Sequence, residues 1–93
     1  MKKQIYQVGE HQQIRLQLEI DPGDYTLQTG DIIAALGNQY PDSEPVFVSI
    51  YGSTAFVTLD SSQILKYMER GRPVLDIYHK DSKTHLYRVV FVR

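Results

Sequence analysis

The chain has 93 residues, 42% hydrophobic and 23% charged, with Lys+Arg 10 against Asp+Glu 11 and a formal net charge of -1. This length admits one core spanning residues 1–93, and the composition is too apolar for a disordered chain; near-neutral charge with no basic run beyond Lys2-Lys3 argues against nucleic acid as a partner. The lack of cysteine excludes disulfides, thiolate metal sites and cysteine nucleophiles, and it suits a reducing cytoplasm.

Met1 to Val8 turns polar again at Gly9-Glu10-His11, without the apolar centre of a signal peptide, and no apolar run reaches membrane-spanning length. The expectation is a soluble chain, not exported by the general secretory route and without a membrane partner. Gln13 to Ile20 alternates strictly, Ile14, Leu16, Leu18 and Ile20 on one face against Arg15, Gln17 and Glu19 on the other, which predicts a half-buried strand. Asp21-Pro22-Gly23-Asp24 supplies a reversal, because proline presets φ and glycine accepts positive φ. Tyr25-Thr26-Leu27 reads as a short extended piece, and Asp31 to Leu36 as a central strand apolar on both faces.

Gly37 to Pro45 reads as the longest loop. Val46 to Tyr51 and Thr54 to Leu59 flank Gly52-Ser53, a pair that predicts a type II′ hairpin. Behind Asp60-Ser61-Ser62, the residues Ile64, Leu65 and Met68 fall at helical spacing, predicting one or two turns that stop near Gly71. Two strands close the chain, Val74 to His79 and His85 to Val92. Short strands with tight turns and one helical crossing, in a chain too short for βαβ units, predict an all-β antiparallel immunoglobulin-like sandwich of six to eight strands with one short helix. A small open barrel is the alternative.

Tests for chemistry fail on missing partners. His79 and His85, placed opposite each other in the last hairpin, are too few for a closed metal site. Ser61 and Ser62 have no glycine-rich elbow and read as helix caps. The carboxylates Asp21, Asp24, Asp31, Asp42 and Glu44 sit in turns without calcium-loop spacing, and no phosphate-cradling or dinucleotide motif is present. The expectation is a protein that is not an enzyme and uses no cofactor or metal. Seven tyrosines offer contacts, with Tyr25 and Tyr40, both beside turns, as the candidates for exposed ones.

The last hairpin is more informative. A three-residue loop places Leu75 opposite Val89, Ile77 opposite Tyr87, Asp76 opposite Arg88 and Tyr78 opposite Leu86, and the Asp–Arg pair favours this register. One face then carries Val74, Leu86, Val90 and Val92 around a single ion pair, more apolar than a solvated sheet face. Either the N-terminal Ile5 to Val8 covers it, or another subunit does.

Between about residue 10 and residue 93 the order of features resembles the immunoglobulin-like N-terminal domain of upper baseplate proteins from phages of Gram-positive bacteria, a module also seen in small phage structural proteins. The matching stretches are Gly9-Glu10 with the strand Ile14 to Ile20, Gly23 to Asp31 leading into Ile32 to Leu36, Ala55 to Gln63, and Gly71 to Tyr78 followed by a hydrophobic strand. The resemblance implies a non-catalytic virion structural or assembly protein of baseplate, tail, neck or head, found in the virion and, during assembly, in the host cytoplasm. Its implied partners are other virion proteins, with a homo-oligomer as a further mode. A carbohydrate-binding sandwich that stacks sugars on Tyr25 and Tyr40 is the alternative reading.

Overall fold

The computed structural model describes residues 2–10, 12–20, 28–39 and 42–93. Eight strands, β1 (Lys2–Gln7), β2 (Gln13–Glu19), β3 (Ile32–Gln39), β4 (Asp42–Val46), β5 (Val48–Tyr51), β6 (Thr54–Asp60), β7 (Val74–His79) and β8 (His85–Val92), accompany one helix, α1 (Ser61–Met68). They form a five-stranded sheet in the order β1-β8-β7-β3-β4 and a three-stranded sheet in the order β2-β6-β5. Two separate sheets facing across one core make a sandwich and not a barrel. With β2, β6 and β5 on one side and β3, β7 and β8 on the other, the strands follow the immunoglobulin arrangement.

Alternation builds the core. Ile14, Leu16 and Leu18 of β2 and Ala55, Val57 and Leu59 of β6 point inward and meet Leu36, Leu75, Ile77, Val89 and Phe91 of the larger sheet, all buried. Helix α1 carries the chain between the sheets and adds Ile64 and Tyr67 to the core. Its start is tied down twice. The Asp60 N–H donates to Gln63 Oε1 at 2.9 Å, one half of a capping box. Buried Ser61 exchanges bonds with the segment before β2: its N–H donates to the Gln12 carbonyl at 2.9 Å, and its Oγ accepts from the Gln12 N–H at 3.0 Å.

The expected turn holds residue for residue. Gly52 has φ 65 and Tyr51 pairs with Thr54, as a two-residue hairpin with glycine first requires. Other expectations are corrected. Gly37 to Gln39 and Asp42 to Pro45 are strand and not loop, because β3 runs on through Gln39 and pairs with β4, where Pro45 is tolerated on a sheet edge. Val46 to Tyr51 is not one strand: β4 belongs to the larger sheet and β5 to the smaller, and the chain changes sheets at Phe47.

The last hairpin keeps the expected register at Leu75–Val89, Asp76–Arg88 and Ile77–Tyr87, then slips, so that Tyr78 pairs with His85 and not with Leu86. The extra residue is a bulge, and Leu86 packs against the core beside Tyr87. His79 therefore does not face His85; its N–H donates to the Thr84 carbonyl at 2.8 Å.

The N-terminal strand covers no face. It extends the larger sheet edgewise, pairing in parallel with β8 from Lys2–Tyr87 to Gln7–Val92. Its inner side chains hold it there: Tyr6 meets Phe91 edge-on with ring centroids 6.0 Å apart, and the Tyr87 hydroxyl donates to Gln4 Oε1 at 2.9 Å. In the constant-type immunoglobulin arrangement the first strand lies beside the second. Here it lies beside the last, and among the described residues the outer edge of β2 has no neighbouring strand.

Candidate functional site

The registers of the five-stranded sheet lay out its solvent face as rows that cross the strands. One row runs Ile5, Val90, Val74, Gly37, Ser43; the next runs Lys3, Arg88, Asp76, Ala35, Pro45. A third holds His85, Tyr78 and Ile33. The first row is apolar over four strands, and Ile5 is 70% exposed, so the N-terminal strand widens the patch instead of shielding it. Gln7 and Val92 lie one step beyond Ile5 and Val90 on the same face.

Relief on this face comes from residue size. Gly37 and Ala35 bring the surface of β3 down almost to its backbone, while Val74 stands beside them on β7. Two open depressions of about 310 Å³ each result. One is lined by Ala35, Gly37, Ser43, Asp76, Tyr78 and His85, the other by Lys3, Ile5, Arg72, Arg88 and Val90, and Val74 is common to both.

Charge surrounds the apolar row unevenly. Arg88 Nε donates to Asp76 Oδ1 at 2.7 Å, with both side chains part-buried at 34% and 22% exposure, so the one carboxylate on these rows is already engaged. Lys3 and Arg72 rim one depression and Lys83 the other. Among the described residues the face thus presents an apolar centre with Lys3, Arg72 and Lys83 on its rim. His85 stacks on Tyr78 with ring centroids 5.8 Å apart. Comparison of the chain with known protein families, with characterised proteins and with solved structures yields no match.

Of the residues singled out from sequence, the structure brings Val74, Val90 and Val92 onto this one face. Leu86 leaves it through the bulge and packs against the core, and His85 occupies the outer position. Tyr25 and Tyr40 lie outside the described residues. Sequence reasoning missed Ile5, which alternation alone assigns to whichever face β1 happens to join. It also missed three exposed aromatics of the smaller sheet and its approach, Phe47, Tyr51 and Phe56. Phe56 was detectable, since it shares the polar phase of Thr54 and Thr58. Among the described residues no group of three or more His, Asp or Glu side chains is placed to hold a metal ion.

Proposed function

We propose that the chain is a non-catalytic phage virion structural and assembly protein that docks through the outer face of its five-stranded sheet. The observation that carries this is the apolar row Ile5, Val90, Val74, Gly37 on the outer face, with Ile5 exposed and Val90 and Val74 part-exposed, where a sheet face of a lone domain is normally polar. The order of sequence features shared with small phage structural modules supports the virion context. The partner is another virion protein with an apolar ridge bordered by Asp or Glu, which complements Lys3, Arg72 and Lys83. Nucleic acid and membrane play no part in this reading.

The test has two arms. The gene is mapped relative to phage head and tail genes, and particles banded from the phage that carries it are probed for the chain. Presence in the particles, and its loss in a Val90→Lys variant that still folds, is the expected result. Particles free of the chain overturn the virion reading, and normal incorporation of the variant overturns the docking face.

A further inference from the structure

Among the edges of the two sheets, three are blunted against pairing. Edge β1 begins with the like charges Lys2 and Lys3, β4 contains Pro45 and starts at a register shift, and β5 is four residues long. Edge β2 has none of these devices in its own sequence, and the Lys2 ammonium reaches it only at its Glu19 end. It is seven residues long, regular and free of proline, and the first strand that would cover it in a constant-type domain pairs with β8 instead.

Direction of the backbone groups follows from one bond. The Ile20 N–H donates to the Ser53 carbonyl at 2.8 Å on the β6 side, so Ile14, Leu16 and Leu18 also bond toward β6, while Gln13, Arg15, Gln17 and Glu19 direct N–H and C=O outward. Lys2 Nζ reaches across to the Glu19 carbonyl at 3.2 Å, which marks that oxygen as outward-facing and leaves it a second lone pair.

We infer that β2 pairs antiparallel with β2 of a second copy of this chain, about a two-fold axis at Gln17, joining two three-stranded sheets into one. Three physical points select this register. Pairing an outward residue with an inward one would turn Arg15 toward the core, which excludes every one-residue slip. Centring on Arg15 would set guanidinium against guanidinium, and centring on Leu16 would set Arg15 and Glu19 each against a glutamine. Centring on Gln17 sets Arg15 of each copy opposite Glu19 of the other, two opposite-charge pairs related by the axis.

Glu19 accepts from Thr54 Oγ1 at 2.6 Å and from Ser53 Oγ at 3.2 Å, which holds its carboxylate on the β6 side of β2 and leaves lone pairs for a further donor from the other copy. The inward residues of both copies stay on the core side, so the core of each copy is undisturbed. This surface belongs to the other sheet from the docking face and is independent of it.

A single strand pair buries less than a standard interface, so self-association is weak, with a dissociation constant on the order of 100 µM. The experiment is sedimentation equilibrium of the full chain at rising concentration, combined with amide hydrogen exchange. The average mass rises from 10.7 kDa toward twice that value, and the amides of Arg15, Gln17 and Glu19 gain protection as it does.

Gln17→Pro removes an outward N–H without touching the β6 ladder, so it leaves the melting curve nearly unchanged and weakens association more than about tenfold. Arg15→Glu and Glu19→Arg each weaken it alone, and mixing the two variants restores it, because each opposed pair then regains opposite charges. A chain that stays monomeric at millimolar concentration overturns the inference, as does association that Gln17→Pro leaves intact. Failure of the mixture to recover overturns the register. Val90→Lys associates normally in this assay, which separates the result from that of the docking face.

Discussion

Val89 and Val90 are adjacent in β8 and point in opposite directions, so they measure the two sides of the larger sheet with one pair of variants. Val89 is fully buried between Leu75 and Gln4 in the ladder, whereas Val90 is part-exposed between Ile5 and Val74. Val89→Ala deletes two buried methyl groups and leaves a cavity, a loss of about 2 kcal/mol, intermediate between the usual costs of Ile→Val and Leu→Ala. For a domain of this size that lowers the melting temperature by roughly 8–16 °C.

Val90→Lys has a different ledger. The lysine stem lies along the apolar row and its ammonium reaches water, so the monomer loses less than about 1 kcal/mol. In the docked state the same ammonium is buried against an apolar partner beside Lys3 and Arg88, and docking weakens by about 2–4 kcal/mol. Chemical denaturation of both variants, with binding measured on Val90→Lys, reads the two effects separately. A Val90→Lys variant as unstable as Val89→Ala would show that the face is covered within the monomer, and the reasoning about it would fall.

Ser61→Ala should cost about 1–3 kcal/mol, because it strands the Gln12 N–H that now donates to Ser61 Oγ; a denaturation midpoint within error of wild type would show that water replaces the hydroxyl. Hydrogen bonds from Thr54 and Ser53 hold the Glu19 carboxyl below the ordinary glutamate range, with a smaller contribution from Lys2. A depressed folded-state value stabilises the protein above the unfolded-state pKa, and the contribution disappears as the pH falls through the lower folded-state value. A carboxyl titration followed by NMR should therefore place Glu19 lower in wild type than in Thr54→Val, and coincident curves would refute the cause.

Strand existence and local pairing were legible from sequence wherever alternation is one-sided. Gln13 to Glu19 and Thr54 to Asp60 each have one apolar phase, which dictates both strand and facing, and Gly52-Ser53 dictates the turn between β5 and β6. The Asp76–Arg88 pair specified most of the last hairpin for the same local reason. The apolar character of Val74, Val90 and Val92 followed from that register and needed no tertiary information.

Tertiary structure decided what alternation leaves degenerate. Gly37 to Pro45 has turn-like composition, yet the neighbouring strand β3 offers a free edge whose backbone groups must be satisfied, and β4 satisfies them despite its proline. The bulge that lets Leu86 pack against the core is a choice between two pairings that differ by one residue in register, which alternation along β8 does not distinguish. Above all, β1 has an inner phase that suits either sheet. The contacts of Tyr6 with Phe91 and of Gln4 with Tyr87 draw it to β8, which both exposes Ile5 on the outer face and leaves the edge of β2 without a neighbouring strand among the described residues. Both surfaces come from that one long-range choice, because a strand's pattern states which side is apolar but not which neighbour will pair with it.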